Sequence, residues 1–195
     1  MLIDNSKYIS PKFKIEDYLN LNLDIHSSQD KWKKAIEIFE DRIRGRFFNA
    51  IYDLQDINTK SKIPKYDFAI MALEALLVET MLQFKHGLEN TNNVSRQEYT
   101  EYLKTLSSSF TDDSALAFYI NVRCGILHSG QTYGNTVLTQ DNSYIITMEN
   151  YLFKVSVPEF TVLLYKTYKT YCKSLMTDTV LKGNFITKMN YICNR

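Results

Sequence analysis

One short segment of the sequence concentrates side chains able to do chemistry: Phe118-Tyr119-Ile120-Asn121-Val122-Arg123-Cys124-Gly125-Ile126-Leu127-His128-Ser129-Gly130. An imidazole titrates near neutrality and suits proton transfer. A guanidinium presents bidentate donors to an oxyanion in a way lysine does not. On a helical wheel Leu116, Tyr119, Ile120, Ile126 and Leu127 form an apolar stripe with Arg123 in its middle. A cation in a buried stripe is costly unless it is paired and hydrogen-bonded. The neighbouring stripe, Ala117, Asn121, Cys124, Gly125 and His128, is small or polar throughout. Glycine inside a helix costs about 1 kcal/mol relative to alanine, so Gly125 predicts close approach of a partner helix or a ligand. The plainer account is that arginine and histidine on one helix usually sit at the surface or near a cap, where His128 would complement the helix dipole. Residues five apart on a regular helix also lie roughly 140° apart around its axis. To act on one atom the two need a kink, a long arginine reach, or a second copy of the chain.

The elements that must position this segment are mainly helical. Residues 1–27 read as a loosely structured arm, and a helical domain is expected over 28–195. From Ser28, a plausible N-cap, Trp32, Ile36, Phe39, Ile43, Phe47 and Ile51 recur at steps of three and four, predicting a helix to about Leu54. Pro64 ends any helix before it. Asp67 to Phe84 is the most apolar stretch, with Asp67 as cap and Gly87 as stop; a helix apolar almost all round is normally central. Ser95 to Glu98 is a capping box opening a short helix to about Ser107. Thr111 and two aspartates cap the motif helix, Ser114 to His128, with Gly130 as its stop. The period then changes: Thr136–Thr139, Tyr144–Met148 and Leu152–Val157 read as a small hairpin or three-stranded flap. Pro158 suits the first turn of a helix to about Met176, and a last helix spans about Thr179 to Ile192. The expected fold is therefore mainly α, an antiparallel bundle of five to six helices with a small β insertion after the motif helix.

Composition narrows the classes. The 195 residues are 45% hydrophobic and 23% charged, ordinary for a globular chain. With 23 basic against 22 acidic residues the net charge is +1, which argues against a polybasic coat for DNA or membranes. Three cysteines, Cys124, Cys172 and Cys193, without CxxC spacing predict reduced thiols and a cytoplasmic setting. Neither a signal peptide nor a membrane helix is expected. His26 and His86 are isolated, so no metal and no cofactor are expected.

Arg123-(Cys-Gly-Ile-Leu)-His128 matches the R-x4-6-H signature of HEPN domains, and the wider VRCGILHSGQT string resembles bacterial members of that group. The segments Glu79 to Gly87 and Leu181 to Phe185 are also similar to such proteins. The resemblance spans roughly residues 30–192, with only the arginine–histidine element specific. It implies metal-independent RNA cleavage by a symmetric homodimer. Attack by the RNA 2′-hydroxyl would give a 2′,3′-cyclic phosphate and a 5′-hydroxyl. His128 would move the proton, and Arg123 would hold the scissile phosphate. The implied setting is a toxin or defence effector with an antitoxin or defence-system partner protein. Two departures stand out. The position after the arginine, often polar in the family, is Cys124, and the tyrosine found two residues beyond the histidine in some members is replaced by Gly130, with Tyr133 too far on to match.

Other residues have weaker claims. Glu79, among Leu77, Val78, Met81 and Leu82, is expected either to pair with Arg123 or to face solvent, and Asn121 and Cys124 are accessory to the motif. Arg42, Arg44 and Arg46, close to Lys33 and Lys34, could contact RNA phosphates, although such alternating charges are more often solvated. Tyr165, Tyr168 and Tyr171 could stack bases, but packing is the commoner fate. The competing function is a non-catalytic HEPN-like module for dimerisation or for binding nucleotide or RNA; an interaction scaffold unrelated to nucleic acid would leave Arg123 unexplained.

Overall fold

The structure, a computed structural model, describes residues 7–90 and 95–194. Among these the chain is mainly helical, with seven helices and one three-stranded sheet. In order they are α1 (Ile15–Leu19), α2 (29–61), α3 (Asp67–His86), α4 (Arg96–Leu106), α5 (112–129), β1 (Thr136–Thr139), β2 (Ile146–Glu149), β3 (Leu152–Ser156), α6 (Val157–Ser174) and α7 (Thr179–Cys193). Two helices change their winding. Helix α2 passes through a π-helical stretch at Arg44–Phe48, and α5 does so at Phe118–Cys124.

The chain gathers into two compact units, one from 7–50, 83–90 and 169–194, the other from 51–82 and 95–168. Aromatic packing holds the first: Phe39 meets Phe84 at 4.7 Å and Phe185 at 5.6 Å, and Trp32 meets Phe185 at 5.8 Å between ring centroids. The described part of the arm, from residue 7, is more ordered than its sequence suggests. Lys14 N–H donates to Asp17 at 2.7 Å, which starts α1. Gly45 allows the arm to lie against the π-turn of α2, since a Cβ there would sit 2.2 Å from Pro11 Cγ.

The second unit holds the motif. Phe110, Phe118 and Phe160 form its aromatic centre, with Phe118 and Phe160 at 4.9 Å. The sheet runs in the order β1-β3-β2, with β1 parallel and β2 antiparallel to β3. Asn150 and Tyr151, both at positive φ, make the tight β2–β3 turn, the conformation that matches strand twist in a two-residue hairpin. The caps at Ser95 and Thr111 form as expected, with Glu98 N–H donating to Ser95 at 3.1 Å and Ser114 N–H to Thr111 at 3.3 Å. Asp67 does not act as a simple cap. Its carboxylate accepts from Asn58 and Gln140, each at 2.8 Å, while Asn58 takes the Tyr66 N–H at 2.9 Å. Of the tyrosines of α6, Tyr168 and Tyr171 are buried packing residues, whereas Tyr165, which meets Tyr168 edge-on, is exposed.

Candidate functional site: the arginine–histidine helix

Helix α5 owes its geometry to its π-helical turn. Gly125 N–H donates to the Ile120 carbonyl, five residues back, which leaves the Asn121 carbonyl to accept Tyr133 N–H at 2.9 Å. Such turns are uncommon and cluster at functional sites. The expected apolar stripe is corrected at three of its members. Ala115, Phe118, Val122, Gly125 and Ile126 face the core, whereas Leu116, Ile120 and Leu127 are 39%, 40% and 40% exposed. The buried set recurs at steps of three and four, so the helix carries two apolar faces of the same period, and the core takes the one with Phe118 and Val122.

Arg123 ends the π-helical stretch and reaches across to α3. Its Nη2 donates to Glu79 Oε2 at 2.9 Å, with the two side chains 17% and 4% exposed. Of the two fates open to Glu79 in the sequence, the structure shows pairing with Arg123 and not exposure to solvent, and both charges are largely out of water. The guanidinium carbon lies 5.5 Å from the Tyr119 ring centroid, and Tyr119 meets Tyr99 at 5.3 Å. Tyr99 in turn donates its hydroxyl to the Ala75 carbonyl of α3 at 3.2 Å. Burial alone would lower the Arg123 pKa, but the hydrogen bond and charge of Glu79 hold it above the ordinary arginine value. The remaining donors are lightly used. Nη1 makes only a 3.9 Å contact to Cys124 Sγ, a weak acceptor, and the buried Nε has no hydrogen-bond partner among the described residues.

His128 stands exposed on the last turn, one residue short of Ser129 and two short of Gly130, whose φ of 70° closes the helix. From Gly125 to Ser129 the winding is regular α. Arg123 and His128 of one chain therefore keep most of their roughly 140° separation. The space over Gly125 is filled by this chain itself, not by a partner helix or ligand. A Cβ at Gly125 would meet the Gln131 carbonyl oxygen at 2.6 Å and Tyr133 N at 3.1 Å. Asn121, expected as an accessory residue, has its side chain beside Gly134, 3.7 Å from where a Cβ would stand.

The chain matches no family model, no curated protein and no solved structure. Function is therefore argued from the site.

The other sequence candidates are placed as follows. Arg42 donates to the Ile9 carbonyl at 2.7 Å, and Arg46 reaches the carbonyls of Tyr8 and Ile9 at 3.4 and 3.3 Å, so both hold the arm. Burial and the nearby Arg46 depress Arg42 to about 10. Arg44 is exposed and lines a cavity with Glu37, Glu40 and Asp41. All three belong to the first unit, whereas Arg123 and His128 belong to the second. Among the described residues no group of three or more His, Cys, Asp or Glu side chains is arranged to hold a metal ion. No described helix is long and apolar enough to cross a membrane. The tyrosines flanking Arg123 were not singled out from the sequence. Tyr119, four residues before Arg123, had a readable signal in that spacing; Tyr99 had none.

Proposed function

We propose that the chain is a HEPN-type endoribonuclease that cleaves RNA without metal as a homodimer. The observation that carries the reading is Arg123 itself, a guanidinium fixed by Glu79 within a face whose neighbours Leu116, Ile120 and Leu127 are apolar and exposed. An apolar stripe around a cation suits a second copy of the same helix, docked about a two-fold axis. Two copies would bring Arg123 of one chain and His128 of the other to a single phosphodiester, which the spacing within one helix does not favour. The finer architecture of an antiparallel helical bundle belongs to the same reading.

In that site one imidazole takes the proton of the RNA 2′-hydroxyl as its oxygen attacks phosphorus. The P–O5′ bond breaks, the leaving oxygen is protonated by an imidazolium, and a 2′,3′-cyclic phosphate and a 5′-hydroxyl result. Arg123 stabilises the charge gathering on the phosphoryl oxygens through Nη1, while Glu79 holds the guanidinium still. Cys124 contributes little as an acceptor. Restraint by an antitoxin or a defence-system partner fits a toxin or defence role.

The second reading, a non-catalytic module for dimerisation or RNA binding, draws on the same salt bridge, because Glu79 already neutralises much of the Arg123 charge. Incubating the protein with total RNA in EDTA separates the two. Cleavage that persists in chelator and falls by about 10²-fold or more in both Arg123→Ala and His128→Ala supports the nuclease. RNA left intact by wild-type protein refutes it. A clean monomer by light scattering at micromolar concentration would remove the composite site.

A further inference from the structure

The loop that follows the motif helix folds back along it and is anchored at several points. The Tyr133 N–H donates to the Asn121 carbonyl at 2.9 Å, an acceptor released by the π-helical turn. The Thr132 hydroxyl donates to the Thr136 carbonyl at 2.8 Å, tying the loop to β1. The backbone of 131–133 lies so close to α5 that only glycine fits at position 125. At its far end the Tyr133 hydroxyl is hydrogen-bonded to the Ser129 hydroxyl, one residue beyond His128.

These anchors determine where the ring lies. Its main chain is held at Asn121, close to Gly125, and its hydroxyl at Ser129, so the side chain runs along about one turn of α5. Within the regular turn, His128 lies roughly 60° around the axis from Gly125, taking 100° per residue. The Tyr133 hydroxyl thus ends on the residue next to His128 in the chain, and the tyrosine is 36% exposed. An aromatic group fixed by its own hydroxyl loses little entropy when a planar ligand covers its free face, which is the economy of pre-organisation. Single-stranded RNA presents such ligands, because its unstacked bases seek aromatic faces.

We propose that Tyr133 is a stacking platform for a nucleobase next to the cleaved phosphodiester, making it a specificity residue of the candidate nuclease. The proposal rests on the RNA-cleaving reading above and adds a subsite to it. It assigns to the Gln131–Gly134 loop the task of holding the ring rigid and to Gly125 that of letting the loop approach.

The test uses a labelled single-stranded RNA blocked by 2′-O-methylation, so that binding is read without cleavage, and a 2-aminopurine probe for stacking. Wild type, Tyr133→Phe and Tyr133→Leu are compared by fluorescence anisotropy after circular dichroism has shown that each is folded. Tyr133→Phe, which keeps the ring, is expected to bind within about threefold of wild type and to retain 2-aminopurine quenching. Tyr133→Leu is expected to bind roughly 5- to 150-fold more weakly, the range that one base–aromatic stack carries, and to lose the quenching. Equal binding by wild type and Tyr133→Leu overturns the platform and leaves the nuclease reading standing. Equal loss in both variants also overturns it, since the hydroxyl bond to Ser129 would then be what matters. Failure of wild-type protein to bind the RNA at all removes the nuclease reading and the platform together.

Discussion

Replacing Glu79 by glutamine removes one charge from a largely buried pair while keeping its volume and an acceptor oxygen. Arg123 would then be a cation 17% exposed, facing a neutral amide and the Tyr119 ring. Breaking a buried ion pair on one side costs about 3–5 kcal/mol. Arg123 retains a route to water, so the lower end applies, about 3 kcal/mol. With a urea m-value of about 2 kcal/mol/M, the unfolding midpoint should fall by about 1.5 M. Arg123→Met is expected to cost a similar amount at pH 7, for the converse reason: Glu79, 4% exposed, would be a buried carboxylate without its counter-ion. The double variant, with neither charge, should lose less than the summed 6 kcal/mol, giving a coupling of about 2–3 kcal/mol. Urea titrations followed by far-ultraviolet circular dichroism at pH 7 measure all four proteins. Single variants within 1 kcal/mol of wild type, or additivity within about 0.5 kcal/mol, would show that the salt bridge does not hold α3 to α5.

Two further outcomes follow from the second unit. Glu74 is fully buried against the Thr161 hydroxyl; burial drives its pKa well above 4.5, aided by nearby Asp67, so its folded-state stability is complete below about pH 4.5 and is lost as pH rises towards the elevated value. Relative to Glu74→Gln, wild-type stability should therefore fall by up to about 1.4 kcal/mol per pH unit across that window, and parallel pH–stability curves for the two proteins would contradict a carboxyl held neutral. Gly125→Ala gains about 1 kcal/mol of helix propensity but must push a Cβ against the Gln131 carbonyl oxygen 2.6 Å away, so a net loss of about 2 kcal/mol and a Tm lower by about 4–8 °C are expected; an unchanged or higher Tm would mean that the loop does not pack there.

What the sequence revealed and what it concealed divide along a physical line. Caps, stops and helix order could be read because they depend on neighbours along the chain: Ser28, Ser95, Thr111 and Gly130 each act within a few residues, and the structure places them where expected. The Arg123–Glu79 pair was readable because a buried guanidinium demands an anion and an apolar helix offered one. The inward face of α5 was not, since two apolar faces share one period there: Ala115, Phe118, Val122 and Ile126 recur at the same steps as Leu116, Ile120 and Leu127. Gly125 announced close packing correctly but not its cause, because the loop arrives from residues just beyond the helix stop. Tyr133 was set aside as too far from His128 along the chain; the left-handed Gly130 and the freed Asn121 carbonyl bring it back. The parallel pairing of β1 with β3 was also hidden, as alternation marks a strand without naming its neighbour.

The same π-helical turn links the features on which the candidate site depends. A regular helix would pair the Asn121 carbonyl with Gly125 N–H; here Gly125 N–H goes to Ile120, and the released carbonyl captures the returning loop. Phe118 and Val122 are in the core while Leu116, Ile120 and Leu127 remain outside. Arg123, at the end of the stretch, meets Glu79 while its Nη1 and Nε are left without strong acceptors. Under the proposed reading these consequences belong together. A dimer closing over the exposed stripe would exclude water from Arg123, and the loss of screening would strengthen its hold on a phosphate when both copies are present. Under that reading the π-helical turn serves a site that becomes effective only on assembly.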